Sequence, residues 1–408
     1  MKIALVAQYA VPLPPVGTKA AGAASVGPAR PSGQAENDIR LRNLSRGLAA
    51  EGHNVTVYVQ RPGAGTPGHA ELCPGVKVAY IGPAASARDD AEMLARVPGF
   101  AAPLRDHLDK DRPDVVHALR WTSGLAALAA ARDLNIPVVQ SFSPLCVTEQ
   151  RHHLLPPGSG TERIRLEPAI GRSVSAVLAG SFDEESELTR IGVPRRSIRV
   201  VPSGVDTDSF TPEGPVADRS DRPRLVTLTG LDSHEELATL LRALTRVPDA
   251  ELVIADGPPT GRLAADPAYR KLAELAETLG VADRVEFAGQ VAHTALPELL
   301  RSADLMVSVS EYDPAGTAVL EAMACGTPVV ATAADGQVDA VIDGTTGIVV
   351  PPRRPAVLAR RIRQLLAHPM QLAAFGMAAA DRARSRYSWD RIARETTAVY
   401  DRATEAAA

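Results

Sequence analysis

The chain has 408 residues, 45% hydrophobic and 23% charged, with 44 Lys+Arg against 48 Asp+Glu and a net charge of −4. That balance suits a chain that buries a core in two or three domains, and it excludes a disordered tail protein, a collagen and a coiled coil. Near-neutral charge argues against non-specific nucleic-acid binding, which needs a basic field. Only five of the basic residues are Lys (2, 19, 77, 110 and 271), so the arginine excess reads as genome composition rather than an RNA-binding face.

The N-terminus, MKIALVAQYAVPLPP, has one Lys and a short apolar run that breaks at prolines. It reads as a first strand and not a signal peptide. No stretch approaches the ~20 apolar residues that span a bilayer, so membrane contact is not supported and a soluble, cytoplasmic protein is expected. Cys73, Cys146 and Cys325 lie far apart without a C-x-x-C pair, which supports neither a disulfide framework nor a zinc site. Cys325 reads as a small core residue.

Short β-branched runs then alternate with amphipathic segments. IALVAQ (3–8) is followed by an aperiodic stretch over 11–36, of a length that is usually functional or mobile in compact domains. A helical pattern follows at Ile39, Leu41, Leu44 and Leu48, ending at Gly52, and leads into NVTVYV (54–59). DVVHAL (114–119), an Ala-rich helix, IPVVQSF (136–142), SAVLAGS (175–181), a helix over 183–191 and IRVVP (198–202) continue the series. This rhythm predicts βαβ crossovers and a parallel sheet covered on both faces. A Pro/Gly/Asp-rich linker follows at 202–222, and the rhythm restarts with strands at 223–230, 250–257, 283–289, 303–310 and 327–333. The expectation is an α/β protein of two Rossmann-like, doubly wound domains facing across a cleft: residues 1–201 and 223–387. The segment 388–408 has no strand after it. Its apolar positions Trp389, Ile392, Ala393 and Tyr400 need a partner surface, expected on the first domain.

Ligands of open parallel sheets sit beyond the carboxyl ends of the strands. The strongest local signal lies at such an end: Glu311-Tyr-Asp-Pro-Ala-Gly-Thr-Ala-Val-Leu-Glu321-Ala-Met-Ala-Cys-Gly-Thr-Pro-Val-Val330. A helix start near Thr317 offers free N–H groups to an anion such as a diphosphate. Asp313 precedes it and Glu321 lies one turn inside. Two carboxylates there suit sugar hydroxyls, from which they accept hydrogen bonds. On spacing alone they read equally well as solvated acids at a capped helix.

The segment 303–352 closely resembles the C-terminal signature of the retaining family-four glycosyltransferases, which have two Rossmann-like domains in the GT-B arrangement. LEAMACGTPVVA stands intact at 320–331, VIDGTTGIVVPP (341–352) matches a later element, VVPSGVDTDSFTP (200–212) is similar to the crossing between domains, and SWDRIA (388–393) to the returning helix. VEFAGQV (285–291) is similar to the strand and turn that line the base pocket. The overall pattern is nearest to the actinobacterial inositol-phosphate N-acetylglucosaminyltransferase-like branch, although that branch's acceptor residues are not recognisable here.

The resemblance implies a sugar passed from a nucleotide-sugar donor to a small-molecule or glycan acceptor with retention, and no metal or other cofactor. Glu321 would hold the ribose hydroxyls, Gly316 and Thr317 would offer amides to the diphosphate, and the turn Gly289–Val291 would contact the base. Gly230 would line the donor site. Asp313 stands where the family has the Glu that binds the donor sugar; one methylene fewer sets its carboxylate back by about 1.5 Å. His117 is expected as a second catalytic residue at a strand end, with a buried structural histidine as the other reading.

Departures stand beside these matches. The family's Gly-Arg…Lys-Gly clamp on the leaving diphosphate is replaced by Gly230-Leu-Asp-Ser-His-Glu-Glu-Leu237, with His234 as a partial substitute. Leu119 and Ser143 replace two of the family's imidazoles. The glycine pair before the first helix is reduced to Ser32-Gly33-Gln34, with Asn37 and Asp38 following, and His152-His153 has no third ligand nearby. These losses motivate an alternative: a homologue that has lost catalysis and serves as a binding subunit for a glycosyltransferase partner chain. A sugar-nucleotide epimerase would need several titratable groups that are not found, and no G-x-G-x-x-G supports a nicotinamide dehydrogenase.

Overall fold

The computed structural model describes residues 1–8, 33–63, 65–84, 89–142, 144–156 and 159–407, with the side chains of 33–37 and 335 outside that description. The stretch 11–32, including Ser32, and Ser143 therefore lie outside the described residues, as do the side chains of Gly33, Gln34 and Asn37. The chain divides into two compact units; among described residues the first holds 1–8, 33–203 and 389–407, and the second 204–388.

The first unit runs β1 (Lys2–Val6), α1 (Gly33–Ala50), β2 (Asn54–Gln60), β3 (His69–Cys73), β4 (Val76–Ile81), α2 (Asp90–Asp111), β5 (Val115–Leu119), α3 (Trp121–Ala131), β6 (Val138–Ser141), α4 (Cys146–Arg151), α5 (Thr161–Ser173), β7 (Ala176–Ala179), α6 (Phe182–Arg190) and β8 (Ile198–Val200). Its sheet has the order β3-β4-β2-β1-β5-β6-β7-β8, parallel except for β3. The alternating strands bury both faces. Ala4, Val6 and Ala79 face Phe100 and Leu104 of α2, while Ile3, Leu5 and Val57 face Leu41, Leu44 and Leu48 of α1.

The second unit runs β9 (Arg224–Thr227), α7 (His234–Leu244), β10 (Glu251–Ile254), α8 (Pro267–Thr278), β11 (Val285–Phe287), α9 (Leu296–Ser302), β12 (Leu305–Ser308), α10 (Thr317–Ala324), β13 (Val329–Thr332), α11 (Asp335–Ala340), β14 (Gly347–Val350), α12 (Pro355–Leu366) and α13 (Pro369–Tyr387). Its all-parallel sheet has the order β11-β10-β9-β12-β13-β14. The segment read as a linker packs on this unit: Val205 bridges to Ser388 and Phe210 is buried in the core beside α10.

The last helix, α14 (Trp389–Ala407), belongs to the first unit. A Cβ on Gly47 of α1 would stand 3.0 Å from Ala393 Cβ, so the glycine lets the two helices touch. Ile392, Ala393, Val399, Tyr400 and Ala403 complete the core beneath α1, which is the partner surface the sequence pattern demanded. The hairpin β3–β4 and helix α2 had no counterpart in the sequence pattern. α2 carries Pro98 and Pro103 inside it and starts on Asp89, whose side chain accepts from the Glu92 N–H at 2.8 Å. Among the described residues no helix is long and apolar enough to cross a membrane.

Candidate functional site

At the carboxyl ends of the second sheet, the turn between β12 and α10 is built by Asp313 and Gly316. Gly316 is left-handed (φ 61°), and its N–H donates to Asp313 Oδ1 at 2.8 Å. The other carboxylate oxygen accepts from Gln337 Nε2 at 3.3 Å. Gly336 lies beneath, where a Cβ would meet Pro314 O at 2.7 Å. In this turn the Gly316 amide donates to Asp313, and both oxygens of Asp313 accept a hydrogen bond. Thr317 opens the helix, whose first-turn amides have no intrahelical acceptor.

Glu321 sits one turn inside α10, 5% exposed. Its Oε1 lies 3.0 Å from His293 Nε2, while Oε2 is buried without a hydrogen-bond partner among the described residues. His293, on the loop between β11 and α9, packs edge-on against Phe210 at 5.2 Å. It was not singled out in the sequence: its spacing of 28 residues from Glu321 follows no local period. An unpartnered buried carboxylate oxygen is costly. It marks a place where a ligand's hydroxyl would donate.

Gly289 is left-handed (φ 66°), and a Cβ there would stand 2.7 Å from Pro258 O. The Gln290 N–H donates to the same oxygen at 3.1 Å, pinning the loop after β11 to the loop after β10, with Val291 packed on the core beneath. Gly230 is overhung by two acids of the neighbouring loops: a Cβ would meet Asp232 Oδ1 at 2.6 Å and Asp256 Oδ2 at 3.2 Å. Leu231 is buried against Gly257, so an apolar side chain fills the position of the expected clamp cation. His234 begins α7, its Nδ1 3.9 Å from Glu235. Glu236 accepts the Glu311 N–H at 2.7 Å, its pKa raised by burial, and Glu311 is paired with Arg353 from beyond β14. As the sequence indicated, these strand ends carry acids where the family has its clamp cations.

In the first unit His117 does not reach a strand end. It lies inside β5, 1% exposed, with Nδ1 2.7 Å from the Tyr400 hydroxyl and Nε2 3.0 Å from Ser141 Oγ. Burial, with Arg40 nearby, lowers its pKa to about 3, so the ring is neutral. The catalytic expectation is corrected in favour of the structural one, because both ring nitrogens are spent inside the core. Leu119 is buried as well.

The carboxyl ends of β5 and β6 hold two arginines that the sequence reading missed. Arg163 of α5 is buried and meets Glu149 at 2.6 Å, Glu167 at 3.1 Å, Asp90 at 3.7 Å and Pro144 O at 3.0 Å. Burial raises Glu167 to about 7 against the pull of Arg163. Arg120, directly after β5, holds a left-handed backbone (φ 73°), strained for a residue with a Cβ. Burial and Arg163 lower its pKa, and its guanidinium makes no hydrogen bond among the described residues. Cys146 and Cys325 are buried, their thiols pushed up to about 11 and about 12. Among the described residues no three His, Cys, Asp or Glu side chains gather as a metal site.

Two α/β units with these sheet orders have the architecture of the GT-B glycosyltransferases. Residues 215–382 match the family described as glycosyl transferases group 1, and residues 39–209 match glycosyltransferase family 4. The chain belongs to the group 1 glycosyltransferases. It is 31% identical over 390 residues to a D-inositol 3-phosphate glycosyltransferase of Geodermatophilus obscurus, covering 90% of this chain and 85% of that one. It is 30% identical over 391 residues to the protein of the same name from Xylanimonas cellulosilytica, covering 90% and 92%. Among solved structures, sucrose-phosphate synthase from Thermosynechococcus elongatus superposes with a TM-score of 0.78 at 26% identity, covering 99% of each chain. Anabaena HepE in complex with UDP and glucose shares the fold at 18% identity, with a TM-score of 0.68 over 98% of this chain and 99% of that one. None of these supports the reading as an impaired partner subunit.

Proposed function

We propose that this glycosyltransferase moves a hexosyl or N-acetylhexosaminyl group from a nucleoside diphosphate sugar to a phosphorylated, polyhydroxylated acceptor, with retention of anomeric configuration. The observation that carries the donor assignment is Glu321: a buried carboxylate one turn inside α10, with one oxygen beside His293 and the other without a hydrogen-bond partner among the described residues. Vicinal ribose hydroxyls answer that oxygen, and the helix start answers the diphosphate. Gly289 supports the base-facing loop by permitting its contact with Pro258. HepE structures contain UDP and UDP-glucose, which supports a uridine donor as the first to test.

For the acceptor, Arg120 supplies the argument: a part-buried guanidinium with Glu149, Asp90 and Asp38 nearby but no hydrogen bond among the described residues, held in a strained backbone at the carboxyl end of β5. An anionic group would relieve it. The names of the actinobacterial relatives support an inositol phosphate. Retention rests on the family resemblance. The acceptor hydroxyl would attack the anomeric carbon as its bond to the diphosphate breaks, and the leaving phosphate would take the proton. The protein then contributes positioning and electrostatics. With Leu231 in place of a cation, that electrostatic support falls to main-chain amides, a loss of several kcal/mol against a full clamp.

The test is calorimetry of uridine and guanosine diphosphates on the wild type and Glu321→Ala, followed by product analysis with UDP-sugars and inositol phosphates. A bound diphosphate at a hundred times its Kd would stabilise the fold by about 2.7 kcal/mol, visible as a thermal shift. Equal affinity of the two proteins for both diphosphates would remove the donor assignment.

A further inference from the structure

The first unit carries a cavity of about 440 Å³ at the edge of its sheet opposite to Arg120 and Arg163, where the last turn of α2 crosses the amino-terminal ends of β1, β2 and β4. The strand register explains the space. Ala4 pairs with Thr56 and Thr56 with Lys77; one residue pair further on, Tyr58 pairs with Ala79 and Ala79 with His69. Where Val6 and Ile81 fill the same face beneath Phe100 and Leu104, this corner holds the short side chains of Ala4, Thr56 and Ala79, which line the cavity.

Its lining is chemically sorted. α2 contributes His107 and Asp111, four residues apart and so on one helix face. The Tyr58 hydroxyl donates to Asp111 Oδ2 at 3.0 Å, its ring tilts against His107 at 5.7 Å, and His69 stands edge-on to His107 at 6.4 Å. That makes an aromatic wall. Lys2 and Lys77 also line the cavity, two of the five lysines in a chain that otherwise uses arginine. Neither ammonium has a hydrogen bond or ion pair among the described residues. Glu71 is the cross-strand partner of Lys77, without an ion pair to it among the described residues, and Asp114 accepts the Lys2 main-chain N–H at 2.7 Å. Strand spacings put the two lysine Cα atoms about 12 Å apart, a distance two flexible stems close around one anion.

We propose that this cavity binds a small phosphomonoester, its phosphate held between Lys2 and Lys77 and its body laid against the wall of Tyr58, His107 and His69. Two point charges suit a dianion with three acceptor oxygens better than a single carboxylate, and Thr56 adds a neutral donor. The site is separate from the proposed donor and acceptor positions and does not depend on them.

The test uses phenyl phosphate as probe, with inorganic phosphate and benzoate as comparison arms, in calorimetry on the full chain. Phenyl phosphate should bind more tightly than either. The double variant Lys2→Ala/Lys77→Ala should lose at least about tenfold in affinity with an unchanged melting temperature, because both side chains are peripheral. Arg120→Ala and Glu321→Ala should keep the site, which separates it from the proposed acceptor and donor positions. Asp111→Asn should tighten binding, since it removes the one acid among the described lining residues while keeping an acceptor for Tyr58. Equal affinity of the double variant and the wild type, or no saturable binding to the wild type at millimolar concentration, would overturn the proposal.

Discussion

His293 and Glu321 are 28 residues apart in the chain, yet His293 Nε2 lies 3.0 Å from Glu321 Oε1 and so decides which carboxylate oxygen is left for a ligand. Charged hydrogen bonds contribute about 1.5–3 kcal/mol. Glu321→Ala should therefore weaken nucleoside diphosphate binding by about 10–100-fold. His293→Ala should cost less, because the carboxylate remains but is no longer oriented. Calorimetry at matched salt checks both, and an unaltered Kd in His293→Ala would deny the histidine that orienting role.

Gly289 makes a second prediction. Alanine there faces both a left-handed backbone and the Pro258 oxygen at 2.7 Å. The backbone term alone is about 1–2 kcal/mol, and the loop must also move. Gly289→Ala should lose donor affinity and show reduced discrimination between uridine and guanosine diphosphates, read by competition binding.

For the acceptor side, Arg120→Ala should raise the KM for a phosphorylated acceptor by about tenfold or more while leaving nucleotide Kd unchanged. Its KM for the unphosphorylated analogue should barely move. A parallel rise for both acceptors would mean that the arginine does not read the phosphate.

Arg163 offers a stability test. It faces Glu149, Glu167 and Asp90 with little access to water. Breaking a buried ion pair from one side leaves uncompensated charge and costs about 3–5 kcal/mol. Arg163→Met should show that loss in urea unfolding at neutral pH. Protonating the orphaned acids should recover part of it at lower pH.

His117 predicts a pH dependence. Its pKa falls from 6.5 in the unfolded chain to about 3 in the folded one. Between those values the unfolded state binds the extra proton, so stability falls as pH drops below 6.5, by about 1.4 kcal/mol per pH unit from this group. His117→Gln should flatten that slope between pH 6.5 and 4.5, whatever it does to stability at pH 8. Identical slopes in wild type and variant would show that the ring takes up a proton without unfolding.

Much of the architecture was legible because it follows from local periodicity. β-branched runs separated by amphipathic helices imply parallel sheets, and the apolar stripe on α14 required a partner. Helix α2 escaped because Pro98 and Pro103 interrupt the pattern that a helix is recognised by. The motif around Glu321 was legible as a helix start with an acid one turn in. Its orientation was not, since that depends on His293 and Phe210 from other loops.

Sequence by itself determined the fold class and the family, and it showed that the clamp cations were missing, because each of these is carried by residue types at fixed local spacing. Tertiary structure alone decided what the titratable groups do. His117 lost its catalytic reading when Tyr400 and Ser141 closed on both ring nitrogens. Asp313 and Gly316 turned out to satisfy one another. Arg120, unremarkable in the sequence, emerged as a cation without a hydrogen-bonding partner among the described residues. Charge and hydrogen-bonding capacity belong to a residue, but whether they are spent or available depends on neighbours that the chain brings from hundreds of positions away.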